Sequence, residues 1–362
     1  MELKLIRGPL DVRWLGAIAG LYGEFNRKYR DPGFCRDLFN GNPYGYSLHA
    51  FVVDGEGEAV GHYAVVPLDV VREGQRRRAG KGEAFVVRPD RRADSVAVGG
   101  AEPIAIGMAM PLHLYRYALD QGMELVHMIA SQEVGLIHRM TGCRRLEVHQ
   151  VRATVAALPF GYPSGAPSGG ARAAHALLAF GQWGVSGLAD LATFAWLGPV
   201  RHRSGAALDG RLLARIVQDL PAVDGWTLAV DPSVLAWMAK TGDLQFLALD
   251  RGFDDYVVCA GRAGDGRALE VALWRQRSPG PRAALRLLAA VANRARRLGA
   301  PMAAVPLAAA GCEEERMRLR AAARLLCFRE RAQTAGMYVF TADGYYLDPG
   351  HLRFTPFFYA TF

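Results

Sequence analysis

The sequence predicts an α+β (mixed α/β) fold built twice, each copy a mostly antiparallel sheet flanked by helices. Three observations carry this. Short β-branched runs separated by glycine-rich turns make a meander at 47–89, and helical stretches alternating with further strands follow it. The same order returns after residue 207 without visible sequence identity. Between the two copies lies PFGYPSGAPSGGAR at 159–172, the stretch richest in chain breakers. The expected domains are 1–158, a Gly/Pro linker with an apolar helical connector at 159–206, and 207–362. A chain of 362 residues agrees with two domains at roughly 150 residues each.

Each element has its own signal. Residues 9–24 carry apolar side chains at helical spacing behind Asp11, a residue type suited to an N-cap. Asn42, Pro43 and Gly45 mark a loop. SLHAFVVD (47–54), the turn GEGE and AVGHYAVVPLDVV (59–71) read as a hairpin, and RRAGKGEAFVVRP (77–89) as its third strand. The stretch 104–122 is helical, with Pro111 in its first turn and Gly122 as its stop. MELVHMIAS is a short strand, SQEVGLIHRM a helix ended by Gly142, and 144–158 a single strand. In the second copy, 244–250, 254–263 and 267–276 form the meander. An amphipathic helix at 281–299, the strand PMAAVPLA, the helix CEEERMRLRAAARLL and a closing strand pair in CFRERAQTAGMYVF complete it.

Composition narrows the function classes. The five cysteines, at 35, 143, 259, 312 and 327, are scattered and lack a Cys-x-x-Cys pair, which argues against a disulfide framework or zinc site and for a reducing compartment. The start MELKLIRGPLDVRW has no apolar run of the signal-peptide kind, so the expected localisation is cytoplasmic. The net charge of +8 sits in short arginine clusters that suit an acidic carrier protein, anionic lipid or a phosphorylated cofactor. No aromatic-interleaved basic stripe points to nucleic acid, and no His-x-x-x-His pair points to a metal. The apolar stretch 173–200 approaches the ~20 residues that span a bilayer. Asp190, Gln182 and internal glycines make spanning costly, so it is read as one or two packed helices. Peripheral attachment to the inner membrane face would suit a lipid-linked acceptor.

Several of these residues resemble the GNAT acyltransferase superfamily, and the whole chain resembles its tandem, double-GNAT members. FVVRPDRR (85–92) is similar to the family's strand that offers its backbone to pantetheine, and VGHYAVVP (60–67) to the strand before it. The family's pyrophosphate loop, Gln/Arg-x-x-Gly-x-Gly/Ala, is met by Ile104 to Ala109, with Gly107 and Ala109 kept and Ile104 at the polar position. An insertion lies between Arg92 and Ile104. The resemblance thus implies an acetyl-CoA or longer acyl-CoA site at Phe85, Val86, Val87, Arg88, Arg92, Ile106, Gly107, Met108 and Ala109. Independently, a helix N-terminus offers unpaired amides to phosphate, and glycine lets phosphate approach them.

The family's last-helix Asn falls on Ser131 and its proton-donating Tyr on His138. A histidine titrates near neutrality and can fill that role, the alternative being a packed helix-end histidine. Proton removal from the amine falls to Glu83 on the cleft strand, or to His62 beside it, each with an ordinary structural alternative. No Gly-x-Ser-x-Gly elbow or Ser-His-Asp spacing suggests an acyl-enzyme. The second copy keeps Arg277 and Gly280 but has Arg282 where glycine or alanine belongs, so it is expected to shape the acceptor groove. The expected activity is N-acyl transfer from acyl-CoA to a small-molecule amine, an amino sugar or other biosynthetic intermediate. The alternatives are a Fem-type aminoacyl transferase, a transferase using an acyl carrier protein, and a non-catalytic binding protein with degenerate GNAT domains.

Overall fold

The Asp11 carboxylate accepts the Trp14 amide at 3.0 Å, so the first helix starts at its expected cap. In the computed structural model the described residues are all except 23–26, 73, 131, 147–148, 155–200, 205–209, 220–225, 243, 250–252, 262–268, 301, 308–309, 311, 327, 333–335 and 342–362. The chain begins β1 (Glu2–Arg7), α1 (Val12–Tyr22), α2 (Pro32–Phe39), β2 (Leu48–Val53), β3 (Ala59–Pro67), β4 (Val70–Arg72), β5 (Gln75–Arg77) and β6 (Ala79–Val87). There follow β7 (Ser95–Val96), β8 (Ile104–Ala105), α3 (Ile106–Asp120), β9 (Leu125–Ala130), α4 (Gln132–Met140), β10 (Arg144–Leu146) and β11 (His149–Thr154). Next are β12 (Arg201–Ser204), α5 (Gly210–Asp219), β13 (Trp226–Leu228), α6 (Pro232–Gly242), β14 (Leu244–Ala248), β15 (Asp255–Ala260) and β16 (Leu269–Gln276). The last are α7 (Pro281–Arg297), β17 (Met302–Pro306), α8 (Glu313–Leu325), β18 (Arg329–Ala332) and β19 (Gly336–Thr341).

Two compact units result, and neither is one contiguous stretch, whereas the sequence reading drew contiguous domains. The first comprises Met1–Val148, Ala222–Thr241 and Gln333–Phe354; the second comprises His149–Pro221, Gly242–Ala332 and Thr355–Phe362. In the first, the sheet order is β1-β2-β3-β6-β9-β19-β10; in the second it is β12-β14-β15-β16-β17-β11-β18. The expected single strand at 144–158 is therefore two strands in different sheets. The closing pair β18 and β19 likewise divides, each joining a different sheet instead of forming a hairpin. In the first sheet β19 pairs antiparallel with β9 and with β10; in the second β11 pairs antiparallel with β17 and with β18. Each sheet thus receives its next-to-last strand from the far part of the sequence.

The remaining differences are local. The strand expected at 59–71 breaks after Pro67, and β4 joins β5 and β13 in a separate three-stranded sheet. An unexpected helix, α2, starts at Asp31, whose side chain accepts the Gly33 amide at 2.8 Å. Pro111 lies inside α3 instead of in its first turn, buried with Met110, Leu114 and Tyr115. Burial of that face holds the helix together across the hydrogen bond that proline removes. In the first unit Leu48, Ala50, Val52, Tyr63 and Val65 meet α3 through Ile106, Met110 and Leu114. In the second, α7 and α8 cover Val257, Val271 and Val305. The connector expected at 159–206 lies outside the described residues except for β12. No helix among the described residues is long and apolar enough to cross a membrane.

Candidate active site in the first unit

The sheet of the first unit splits at its middle. β6 and β9 run parallel but pair only where Ala79, Gly80 and Lys81 face Leu125, Val126 and His127. Beyond Lys81 and His127 the two strands diverge, leaving polar edges of β6 and β9 without each other as partners. A bulge bends β6 at the same place. Its pairing with β3 steps from Val86 opposite His62 to Glu83 opposite Ala64, which is one residue too many on β6, and Ala84 takes a φ of 58°. A bulge with a left-handed residue re-aims the strand and costs a non-glycine residue on the order of 1 kcal/mol. Gly82 has no room for a side chain: a Cβ there would overlap the Tyr63 hydroxyl.

The other wall is the start of α3. The short ladder β7–β8 carries the insertion between Arg92 and Ile104 and delivers the chain to Ile106, whose amide donates to the Asp94 carbonyl at 3.1 Å. Ala105 supplies no side-chain cap, so the first-turn amides past Ile106 are left for another acceptor. Phe85 of β6 and Ile137 of α4 lie 3.8 and 3.7 Å from where a Gly107 Cβ would stand. Strand, loop helix and last helix therefore converge at Gly107. Among the other expected cofactor residues, Ile106, Ala109, Val86 and Val87 are buried and Met108 is half-buried. The guanidinium of Arg88 is held by Asp90 in two bonds of 2.9 and 2.7 Å, while Arg92 is exposed. A groove of about 580 Å³ adjoins this end of β6, lined by Arg13, Trp14, Gly16, Gly20, Arg88 and Pro89 among others.

His138 sits beside the splay, almost fully buried among the rings of Tyr63, Phe85, Tyr115 and Tyr338. Its Nδ1 lies 2.7 Å from the Tyr115 hydroxyl, which is 3.0 Å from the Tyr63 hydroxyl. Burial lowers its pKa to about 4, so the expected titration near neutrality is corrected: the imidazole is neutral at physiological pH. Burial pushes the Tyr63 and Tyr115 phenols up and the Cys143 thiol to about 12, so these groups are protonated as well. Tyr338 comes from β19 and packs on α4 so closely that a Cβ on Gly135 would overlap its hydroxyl. The sequence reading missed Tyr63, Tyr115 and Tyr338, which carry no local motif.

The opposite face of β6 carries Glu83. Its carboxylate accepts from the Tyr29 hydroxyl and forms an ion pair with buried Lys81 at 3.2 Å. His62 faces the same side, fully buried against Phe51 and His49, and is not brought near His138 by any recorded contact. Ser131 lies outside the described residues.

The second unit has the same plan in a closed form. β16 bulges against β15 between Val258 and Cys259, and β16 pairs in parallel with β17 only at Leu269 and Glu270. There the gap is bridged again at Trp274 and Ala310, and Trp274 is fully buried. Arg277 donates to Asp219 at 2.7 Å, and Asp219 also takes the Arg215 guanidinium at 2.9 Å and the Tyr256 hydroxyl at 3.0 Å. No group of three or more His, Cys, Asp or Glu side chains among the described residues could hold a metal ion.

No protein-family model matches the sequence, and no curated protein matches it. Solved structures do match. A tandem GNAT protein from the clavulanic acid biosynthesis pathway superposes with a TM-score of 0.52 at 14% identity, over 94% of this chain and 99% of that one. A GCN5-related N-acetyltransferase from Anabaena variabilis gives 0.50 at 11% identity, over 93% of this chain and 72% of that one.

Proposed function

With the fold of a tandem GNAT protein as premise, we propose that the chain is an N-acyltransferase. It takes one acyl-CoA per chain, in the gap between β6 and β9, and passes the acyl group to an amine. The observation that carries this is the end of β6–β9 pairing at Lys81 and His127, with a bulged strand edge and an uncapped helix start on its walls. The donor set suits a thioester with a pyrophosphate tail: backbone amides on β6 for the former and the first turn of α3 for the latter. Acyl-CoA, when bound, supplies an activated carbonyl and a thiolate leaving group.

The residues divide the work by face. The amine nitrogen bonds to the carbonyl carbon as the carbon–sulfur bond breaks, and its proton leaves toward Glu83, directly or through water. Exposed amides of β6 hold the developing oxyanion. In this reading the Tyr115 hydroxyl gives its proton to His138 Nδ1, which keeps the imidazole hydrogen on Nε2 for a hydrogen bond to the departing sulfur. The mouth at Gly107, Met108, Phe85 and Arg88 takes the tail, Arg88 exchanging Asp90 for phosphate. The bridge at Trp274 and Ala310 supports a single cofactor site, with the second unit serving the acceptor.

An acyl carrier protein in place of free acyl-CoA is the second reading. Leu136 and Met140 stand 51% and 61% exposed on α4, with Arg139, Arg144 and Arg145 exposed near them in sequence. Thiol release from acetyl-, butyryl- and octanoyl-CoA, and from the matching carrier-protein thioesters, in the presence of amino sugars and other amines tests both. Turnover with one donor class selects between them; a charged-tRNA donor would restore the Fem-type reading. Neither binding nor turnover of any thioester would leave the non-catalytic alternative.

A further inference from the structure

We propose that Lys81 is a positioning residue for Glu83: its buried ammonium holds the carboxylate ionised at the fork where β6 and β9 part. Lys81 and His127 are the last residues of the two strands to face each other before the pairing ends. Glu83 follows two residues later on β6. Gly80 and Gly82 alternate with this pair, and a Cβ on them would meet Val65, Met123, Tyr63 and Met128 on the α3 side. Lys81 and Glu83 therefore share the other face of the strand, toward Tyr29. The ammonium lies 3.2 Å from Glu83 Oε2, and the Tyr29 hydroxyl donates to Oε1. Side-chain exposure is 3% for Lys81 and 11% for Glu83, so the cation is the sealed end of the pair and the carboxylate the end a substrate can reach.

The surroundings of Glu83 oppose its charge. Tyr22 and Tyr29 pack with ring centroids 4.6 Å apart, and Phe34 stands edge-on to Tyr29. Burial against such a wall favours the neutral carboxyl. The titratable groups around the pair, among the described residues, are Tyr22 on α1, Tyr29 in the turn Arg27–Arg30, Cys35 on α2, His62 and Tyr63 on β3, and His127 on β9. Burial pushes the Tyr22 and Tyr63 phenols up, so both are neutral. Burial also holds His62 well below its ordinary value and His127 at about 3, the Lys81 charge adding to the latter. The Cys35 thiol donates to the Tyr29 carbonyl at 3.4 Å. None of these neighbours brings a positive charge, and Lys81 does. A cation this close moves a carboxyl toward its ionised form by roughly 1–3 pH units, and an ammonium this deep needs an anion beside it. Ionised Glu83 is the form that takes the N–H proton onto a carboxylate oxygen as the amine nitrogen bonds to the acyl carbon.

The role in turnover rests on the proposed function; the coupling of Lys81 to Glu83 does not. Carbon-13 spectra of the full chain with labelled glutamate carboxyls, assigned with Glu83→Gln, follow Glu83 without any substrate. The expected wild-type result is a carboxylate ionised throughout pH 6 to 8.5; a protonation step inside that window overturns the proposal. In Lys81→Met burial acts unopposed by the cation, so the step should enter the window, and Lys81→Arg should remove it again. With one thioester and one amine, Lys81→Met should lower kcat/KM about fivefold or more at pH 6 and leave it within about twofold of wild type at pH 8.5. The titration of the amine cancels in the ratio of the two chains. Should Lys81→Met fail to fold, Lys81→Gln carries the same comparison. A Glu83 that stays ionised in the uncharged variant, or a loss equal at every pH, assigns the pair to packing and overturns the proposal. If the wild-type chain turns over no thioester, the functional reading fails while the spectra still decide the coupling.

Discussion

Lowering the pH from 7.5 to 5.5 should destabilise the first unit by about 5 kcal/mol through its buried histidines. His49, His62, His127 and His138 are buried, and burial holds them at about 3, well below the ordinary value, about 3 and about 4, against an ordinary value of 6.5. All four folded values are depressed, so the unfolded chain binds protons first. Their stabilising contribution is intact above pH 6.5 and is lost as the pH falls from there toward 4 and 3. At pH 5.5, one unit below the unfolded value, each unfolded histidine gains RT ln 11, about 1.4 kcal/mol, while the folded ring gains almost nothing. Four such groups give roughly 5–6 kcal/mol, which is comparable with the whole stability of many domains. Urea unfolding at pH 7.5, 6.5 and 5.5, followed by circular dichroism, measures the slope, and His138→Phe should remove about a quarter of it. Stability that stays flat down to pH 5.5, or falls only where carboxylates titrate, would refute the burial and neutrality assigned to these rings.

Four further outcomes follow from the site. Gly107→Glu has ordinary contact distances available at Cβ and places a negative charge at a helix start, so its Tm should hold or rise slightly while acyl-CoA affinity drops by 100-fold or more, on the order of 3 kcal/mol, by calorimetry. His138→Phe should lower kcat by ~10²-fold with acyl-CoA affinity nearly intact. The wild-type pH–rate profile should show no limb from this residue between pH 5 and 8, because its pKa lies at about 4. Gly135→Ala should destabilise the first unit by about 1–3 kcal/mol through overlap with Tyr338, and adding Tyr338→Leu should return part of that loss. Additive effects in that double variant would contradict the placement of β19 against α4.

What was legible in the sequence follows the range of the forces involved. Asp11 announced α1 because a cap acts within one turn, and the bulged strand 79–87 was visible in its β-branched residues and the glycines before them. The eight residues of α2 were too few for a periodic signal, although Asp31 and Pro32 mark its start in hindsight. The exchange of β11 and β19 was not legible, because strand pairing across such separations leaves no local pattern. The place of His138 on the last helix was readable by resemblance, but its protonation state was not. Rings from β3, β6, α3 and β19 set that state, and β19 lies about two hundred residues downstream. His49 carries no motif at all; only the register of β2 on β3 brings it to His62.

The claim that one acyl-CoA occupies the gap between β6 and β9 is tested most directly by calorimetric titration of the full chain with acetyl-CoA and a longer acyl-CoA, alongside Gly107→Glu and Arg277→Glu. Gly280 is a poor control, because its φ of 90° would strain any side chain placed there. The expected result is one site per chain, lost in Gly107→Glu and kept in Arg277→Glu. Two sites per chain, or one site lost only in Arg277→Glu, would move the cofactor to the second unit and contradict the account.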